Sequence, residues 1–222
     1  EVRSLAAHPH WRGVVSDIGG ASAEMYGSDC RESRCRRPSC LLPAPCPGLE
    51  AWEAYRDLLR RARALPGVRQ VLLGSGVRHD LLLRSPGLLE DILREHCGGF
   101  LRVAPEHTED EVLDLMGKPR FAVFAEFAAL FRSLSRGLRR PVELAPYLIV
   151  GHPGETADMV PRMRDKLRSL GLGTRDVQIF TPSPGTLSTA LYHAGLSASG
   201  KPVAVEKDIR ELQRRQRLLS QE

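Results

Sequence analysis

The stretch that decides the fold is Glu143-Leu-Ala-Pro-Tyr-Leu-Ile-Val-Gly-His-Pro-Gly-Glu-Thr156. Its first eight residues form a mostly apolar run of strand length, and the residues after Val150 are Gly, Pro and polar residues. Thr156 stands where its side chain can cap a helix that continues through Met163 and Leu167 at helical spacing. A strand that leads through a Gly-rich loop into a helix is the repeating unit of parallel α/β proteins.

The same alternation of strand and helix extends over most of the chain. The predicted strands cover residues 13–18, 68–74, 100–104, 143–150 and 176–180. Ser85-Pro86 is typical of a helix start, and Thr108-Glu-Asp-Glu111 has the pattern of a capping box. The alternation predicts a single parallel sheet of about five strands with right-handed crossovers.

The composition is that of a folded globular protein. Of the 222 residues, 42% are hydrophobic and 27% are charged, and the formal net charge is +5. These proportions argue against a disordered chain. No apolar run approaches the roughly 20 residues that a membrane-spanning helix needs. The chain begins without Met or a signal-peptide pattern, so we expect a cytoplasmic fragment of a longer protein.

Four of the five cysteines lie in a short segment without periodicity, the Cys-rich loop (residues 27–48). They are Cys30, Cys35, Cys40 and Cys46. Four neighbouring arginines favour the thiolate form; they are Arg31, Arg34, Arg36 and Arg37. Four thiolates suit zinc or an iron–sulfur cluster. The spacing is not that of zinc ribbons, so redox or disulfide chemistry and inert thiols stay open, and we expect Cys97 to be a small buried residue.

The segments that follow the predicted strands are rich in Gly, Pro and polar side chains. In parallel α/β proteins the loops after the carboxyl ends of the strands form the ligand site. Glycine allows the backbone to approach a ligand closely, and Arg78 can pair with a carboxylate. Three acidic side chains can hold a ribose or an ammonium group; they are Asp17, Glu106 and Glu155. We therefore expect one site for a zwitterionic ligand that carries a nucleoside.

Several of these segments together resemble the YgiQ-like family of radical S-adenosylmethionine (radical SAM) proteins, in the same order from Gly13 to about Ala194. The similar segments are Gly13-Val-Val-Ser-Asp-Ile-Gly-Gly-Ala21 with Met25-Tyr26, Cys35-Arg-Arg-Pro-Ser-Cys40 with Cys46-Pro47, Ser75-Gly-Val-Arg-His-Asp80, Ala104-Pro-Glu-His-Thr-Glu109, Gly151-His-Pro-Gly154 and Pro182-Ser-Pro184. The most specific is Ala104-Pro-Glu-His-Thr-Glu109 together with the Cys pattern.

The resemblance implies a partial TIM-like (β/α) barrel of the radical SAM type that lacks its first strand. The barrel core would cover residues 1–195, with the Cys-rich loop as an insertion and residues 196–222 as a helical extension. The implied cofactors are S-adenosylmethionine (SAM) and a [4Fe–4S] cluster, which together generate a 5′-deoxyadenosyl radical that abstracts hydrogen from a substrate. A reductant such as flavodoxin or ferredoxin is expected for the class. The substrate and the oligomeric state are not indicated.

Carried over by position, the resemblance also implies individual contacts to SAM. Gly19 and Gly20 would receive the methionine amino group. Ser75, Arg78 and Glu106 would lie near the ribose and the carboxylate. The residues that would flank the adenine are Ile149, Gly151, Thr181 and Pro182.

The chain departs from the family's pattern in two places. Ala21 stands where an acidic residue or proline is common, so that contact must involve the backbone alone. The C-x3-C-x2-C loop that holds the family's cluster does not occur, since gaps of four, four and five residues separate the cysteines of the Cys-rich loop. In the resemblance that loop precedes Glu1. We therefore expect this chain alone to lack the catalytic cluster and to be inactive, or to bind SAM weakly.

Two other functions stay open at this stage. His79, His107 and His152 follow three different predicted strands, an arrangement that suits a barrel-borne metallohydrolase. The second alternative is a non-catalytic module that binds acidic partners or RNA through its Arg-rich segments. The arginines are scattered and no aromatic platform accompanies them, so nucleic acid is the less favoured partner.

Overall fold

Short parallel strands alternate with helices along the chain, and the predicted α/β class is confirmed. The computed structural model describes residues 1–20, 22–28, 30, 35–42, 44–49 and 52–220. Among the predicted site residues, Ala21, Arg31 and Arg34 lie outside the described residues. The chain forms two compact units. Unit 1 consists of Glu1–Val103 and Glu126–Leu144, and unit 2 consists of Ala104–Ala125 and Ala145–Glu222.

The strands and helices are numbered in chain order. Strands β1 to β5 are Val14–Val15, Gln70–Val71, Phe100–Glu106, Glu143–Val150 and Asp176–Ile179. Helices α1 to α9 are Val2–Ala6, Trp52–Arg63, His79–Leu82, Pro86–Glu95, Asp110–Met116, Phe121–Ser135, Met159–Ser169, Leu187–Ala194 and Ile209–Ser220. Single 3₁₀ turns occur at Ala23–Met25 and Pro47–Leu49. No helix in the described ranges has the length and apolar character needed to cross a membrane.

The strands that are described form two sheets rather than the single predicted sheet. Strand β1 pairs in parallel with β2, and a second sheet has the order β3-β4-β5, in which Leu148 of β4 lies opposite Val177 of β5 in a parallel pair. Strands β1 and β2 are two residues long, shorter than predicted, although Ile18 N still donates to Leu72 O at 3.0 Å beyond them. These strands do not close into a barrel.

The core of unit 1 is built by amphipathic helices around β2. Helix α2 packs on β2 and buries Tyr55 and Leu59, while Arg60 and Arg61 remain largely exposed. Helix α4 buries Leu89 and Ile92 with no exposed surface. Burying an apolar side chain of this size contributes roughly 1.5–3 kcal/mol, so these helices supply much of the unit's stability.

Helix α9 is an integral part of unit 2. It lies in the predicted helical extension and packs against both α7 and β5. Leu219 is fully buried near the end of α9, and Gln216 Nε2 donates to the main-chain oxygen of Val177 at 2.7 Å. Residues 196–222, predicted as an extension of a core that ends at residue 195, therefore share unit 2 with β5.

Two predicted helix caps are wrong. The hydroxyl of Thr156 donates to Asp158 Oδ1 at 2.6 Å, and α7 begins only after Asp158. Similarly, the hydroxyl of Thr108 donates to Glu109 Oε1 at 2.9 Å, and α5 begins after Glu109 without a side-chain cap. In both cases the N-cap residue of the helix lies one or two residues beyond the predicted cap, and the threonine hydroxyl donates to a neighbouring carboxylate instead of accepting from the first turn. Ser85 does precede α4 as predicted, but its side chain makes no cap hydrogen bond.

We expect Gly151→Ala to destabilise unit 2 strongly. Gly151 has φ +78°, and a Cβ there would overlap the side chain of Leu212 on α9. Gly171→Ala is the matched control, because Gly171 has φ +67° with no atom near the Cβ position. The positive φ alone should reduce the free energy of unfolding by about 1–2 kcal/mol in both variants. The overlap should add about 1–3 kcal/mol for Gly151→Ala only, measured by urea denaturation. Equal losses of unfolding free energy in the two variants would show that Leu212 of α9 does not exclude a side chain at position 151.

Candidate functional site

The carboxylate of Asp17 ties together the loops that follow β1 and β2 in unit 1. Its Oδ1 accepts hydrogen bonds from the backbone N–H of Gly19 and of Gly74, both at 2.9 Å. Its Oδ2 accepts a hydrogen bond from the Ser75 hydroxyl. The structure thus brings the predicted site residues Gly19 and Ser75 together. It also shows that Asp17, which we expected to contact a ligand, has both oxygens engaged by protein donors.

The ionisation state of Asp17 suits this role. Burial acts to raise its pKa, but the hydrogen bonds from Ser75, Gly19 and Gly74 outweigh that effect and lower the pKa below its ordinary value. The carboxylate is therefore ionised at neutral pH and is a permanent acceptor for the three donors.

The glycines of these loops have different roles. A Cβ on Gly74 would lie 3.2 Å from Ser16 O, and one on Gly76, which has φ +93°, would lie 3.0 Å from Arg102 O. These two glycines are needed for close packing of the backbone. Gly20 has φ +149°, and apart from its neighbours in the chain no described residue lies within 4 Å of the Cβ position. Of these glycines, Gly20 leaves room for a ligand beside the backbone.

A second set of contacts in unit 1 fixes Arg78. Its guanidinium donates to both carboxylate oxygens of the buried Asp80, at 3.1 and 2.6 Å, and its backbone N–H donates to Glu24 Oε1 at 2.8 Å. The fork of Arg78, predicted to pair with a ligand carboxylate, is thus engaged within the chain. Asp80 itself lies in the first turn of α3.

Sequence reasoning did not single out Glu24. Its side chain is fully buried, and Oε2 has no hydrogen-bond partner among the described residues. Removal from water raises the pKa of Glu24 to about 7, against the opposing effects of its hydrogen bond from Arg78 and the nearby guanidinium. The only sequence signal was an acidic residue directly before the quoted pair Met25-Tyr26.

In unit 2, Glu106 combines backbone strain with an unpaired acceptor. Among the described residues it is the only one other than glycine with φ in the left-handed region, at +69°. Its Oε1 accepts a hydrogen bond from Lys118 Nζ at 2.9 Å, while the buried Oε2 has no partner. Strain of this kind is concentrated at functional sites. The position is consistent with the predicted role of Glu106 in ligand binding.

Glu155 is the centre of a buried network in unit 2. It accepts hydrogen bonds from Gly151 N at 2.9 Å and from Arg215 Nη1 at 3.1 Å, and its Oε2 lies 3.3 Å from His107 Nε2. Arg215 also pairs with Glu206 at 3.1 Å. Glu155, which we expected to contact a ligand, therefore holds the loop after β4 to α9.

The histidines of unit 2 are held by protein atoms. His107 Nδ1 accepts from Glu109 N at 3.0 Å, so Nε2 carries the proton that faces Glu155. His152 Nδ1 lies 2.8 Å from Pro153 O and therefore carries its proton, which leaves Nε2 to accept from the Ser188 hydroxyl at 2.8 Å. Burial lowers the pKa of His152 to about 4.

These contacts give the metallohydrolase hypothesis no support. Both nitrogens of His107 and of His152 already face protein partners. His79 belongs to unit 1, where its ring lies 6.1 Å from that of Phe127. Within the described ranges, no group of three or more His, Cys, Asp or Glu side chains is arranged to hold a metal ion.

The residues predicted to flank the adenine lie at or just beyond the ends of neighbouring strands of unit 2. Strands β4 and β5 are parallel, and Phe180 N donates to Val150 O at 2.8 Å just beyond the pair. Ile149 and Pro182 are half-buried, Gly151 is buried and Thr181 is exposed. The structure thus brings these four predicted residues to adjacent strand ends.

The described cysteines of the Cys-rich loop carry free thiols. Cys30 and Cys35 are exposed, and Cys40 and Cys46 are half-buried. The backbone of Cys46 donates to Cys40 O at 2.6 Å. Cys97, expected to be buried, is half-buried, and burial raises the pKa of its thiol to about 11. The metal site proposed for the loop stays a prediction.

The sequence is similar to UPF0313 proteins, while no protein-family model matches it. It is 44% identical to a UPF0313 protein of Geobacter sulfurreducens over 99% of this chain and 37% of that protein. The identity is 40% to one of Pseudomonas aeruginosa, over 84% of this chain and 26% of the relative. The identity to a UPF0313 protein of Methanosarcina acetivorans is 38%, over 95% of this chain and 29% of that relative. The chain spans between about a quarter and about a third of the length of these curated relatives.

We expect Glu24 to make the stability of the chain fall as the pH rises from 4.5 to 7. The folded pKa of about 7 lies above the ordinary 4.5, so the folded protein binds more protons than the unfolded chain in that window. By pH 8 the free energy of unfolding should have fallen by about 3 kcal/mol. Glu24→Gln should remove this loss and raise the free energy of unfolding at pH 8 more than at pH 5, measured by urea denaturation.

The control for Glu24 is Glu53→Gln, since the side chain of Glu53 is 81% exposed. This variant should keep the pH dependence of the parent chain. If Glu24→Gln kept it too, the buried carboxyl would not be the group that titrates.

For the Cys-rich loop, we expect Cys35→Ser/Cys40→Ser to abolish any metal bound after loading with zinc or with iron and sulfide under anaerobic conditions. The loss follows because serine hydroxyls do not replace thiolates as ligands. Cys97→Ser, outside the loop, should keep the metal content, measured by inductively coupled plasma mass spectrometry. Unchanged metal in the double variant would show that the cysteines are not ligands.

Proposed function

We propose that this chain is part of a radical SAM enzyme of the UPF0313 type and that its strand-end loops bind SAM. The observation that carries the proposal is the Gly19-Gly20 segment, which Asp17 holds in place and beside which no described residue occupies the Cβ position of Gly20. The similarity to UPF0313 proteins and the ordered match to the radical SAM motifs support it.

The Gly19-Gly20 segment suits the amino group of SAM. An ammonium group is a donor without acceptors, so its site must present oxygen atoms. The Gly19 N–H is already held by Asp17, whereas Gly19 O accepts no hydrogen bond from any described residue. Gly20 O accepts from Ala23 N at 3.1 Å and has a second lone pair. Both carbonyl oxygens can therefore accept from the methionine amino group.

Glu106 suits the ribose of SAM. A ribose hydroxyl can donate a hydrogen bond, and the Glu106 Oε2 atom is a buried acceptor to which no described residue donates. Lys118 holds the other carboxylate oxygen, which fixes the orientation of the side chain. Ile149 and Pro182 offer half-buried apolar surface of the kind that an adenine ring contacts.

The same residues do not account for the iron–sulfur cluster. When bound, a [4Fe–4S] cluster would supply the electron that cleaves SAM. The C-x3-C-x2-C pattern of the family does not occur in the 222 residues. The Cys-rich loop has different spacing, so we assign no cluster ligand to it and no catalytic step to this chain.

The partial barrel remains our proposal for the fold. Beyond β2, Val77 forms an isolated parallel bridge with Val103 of β3, and Val77 N donates to Arg102 O at 2.9 Å. With the pairs β1-β2 and β3-β4-β5, this bridge supports a strand order that follows the chain. A parallel sheet in sequential order is the arrangement of (β/α) barrels.

We expect Glu106→Ala to weaken the binding of SAM by about 10–100-fold, because a buried hydrogen bond to a charged acceptor is lost. Lys118→Ala is the comparison variant: it removes the contact that orients Glu106 but leaves Oε2 in place, so it should weaken SAM binding less than Glu106→Ala does. Equilibrium dialysis with radiolabelled SAM measures both. Equal loss in the two variants would show that Glu106 acts through its ion pair rather than through SAM.

The enzyme class is tested on an intact protein that contains this chain, reconstituted anaerobically with iron and sulfide. Reduction in the presence of SAM should release 5′-deoxyadenosine, measured by liquid chromatography. A protein that takes up iron and sulfide but releases none would overturn the radical SAM assignment.

A further inference from the structure

A large cavity lies at the amino ends of the strands in unit 1. Its volume is about 1280 Å³, above the roughly 300–1,000 Å³ of ordinary small-molecule pockets. It is lined by Val14 and Gln70, the first residues of β1 and β2, by Gly99, which precedes β3, and by Val142, which precedes β4. The loops proposed to bind SAM follow the opposite ends of β1 and β2. The cavity is therefore a separate feature of the unit.

The lining of this cavity is strongly basic. It contains five arginines and one carboxylate, a formal charge of +4; the residues are Arg63, Arg69, Arg94, Arg139, Arg140 and Glu95. Arg63 pairs with Glu95, and Arg94 pairs with Glu90 at 2.8 Å. Arg69 donates only to the main-chain oxygen of Arg12. Within the described part of the chain, Arg69, Arg139 and Arg140 have no carboxylate partner.

No other described residue of the lining offsets this charge. Burial raises the pKa of Cys97 to about 11, so its thiol is neutral at physiological pH. Of the residues that the structure describes, none in the lining has an aromatic side chain on which a base could stack. The cavity therefore presents concentrated positive charge on a concave surface. The low-dielectric walls of such a surface strengthen the electrostatic field.

We propose that this cavity binds a run of phosphate groups. The guanidinium group is planar and presents paired N–H donors that match two oxygens of a phosphate. Three arginines without carboxylate partners around one space suit several linked phosphates better than a single anion. The run of phosphates can belong to a free oligophosphate or to the backbone of a single-stranded RNA, and the absence of an aromatic platform in the lining means that the bases would not be read.

The first test measures the binding of inorganic tripolyphosphate to this chain by isothermal titration calorimetry. We expect one molecule per chain, with affinity that falls as salt is added because the contacts are ionic. Arg139→Gln/Arg140→Gln should weaken binding at least about tenfold. The control is Arg3→Gln/Arg136→Gln, which removes two exposed arginines of the same unit outside the cavity. Circular dichroism establishes that both double variants are folded.

A second variant separates a cavity site from diffuse attraction to a basic surface. Gly98 lines the cavity, and a Cβ there would meet only Leu72, at 3.8 Å. Gly98→Leu should therefore take up space in the cavity without changing any charge, and it should weaken tripolyphosphate binding. Absence of binding, equal loss in the two arginine double variants, or unchanged binding in Gly98→Leu would each overturn the proposal.

Competition with a 12-nucleotide oligouridine then distinguishes the two sources of phosphate. If the oligonucleotide displaces bound tripolyphosphate at a lower concentration than unlabelled tripolyphosphate does, the site is supported and is assigned to an RNA backbone. This displacement should be lost in Arg139→Gln/Arg140→Gln. Weaker displacement by the oligonucleotide supports the site and assigns it to a free oligophosphate.

Discussion

The buried carboxylate of Glu155 is the interaction on which the candidate site of unit 2 depends. It lies in the loop after β4, has no exposed surface, and is shared by the Gly151 N–H, His107 and Arg215. Removing one partner of a buried ion pair of this kind typically costs 3–5 kcal/mol, because the other charge stays buried without compensation. The loop conformation, the position of Gly151 and the docking of α9 are therefore coupled through one side chain.

Asp17 has the corresponding role in unit 1. Both residues follow a strand, and both direct their oxygens at backbone or side-chain donors of their own unit rather than leaving them for a ligand. Because these carboxylates are used to organise the loops, a ligand would have to bind to the backbone and to the few hydrogen-bond acceptors that have no partner among the described residues. In this chain those acceptors are Gly19 O in unit 1 and Glu106 Oε2 in unit 2. Each of these acceptors suits a donor, such as an ammonium or a hydroxyl group.

The two ends of the strands in unit 1 differ in charge. At the carboxyl ends, the acidic groups Asp17 and Glu24 face backbone donors. At the amino ends, the cavity lining carries the arginines and is positive. The modest net charge of +5 hides this separation, because it sums over surfaces that would bind ligands of opposite character. One strand framework can in this way support two sites.

The sequence by itself determined the alternation of strands and helices and the positions of the loops that carry polar groups. These features depend on local periodicity and on Gly and Pro, which act over a few residues. Only the tertiary structure decided how Asp17 and Glu155 are used, that Glu24 is buried, that Thr156 and Thr108 are not caps, and that the arginines around Arg139 share a cavity. Each of these depends on partners distant in sequence, whose distances and burial are set by packing and leave no local pattern to read.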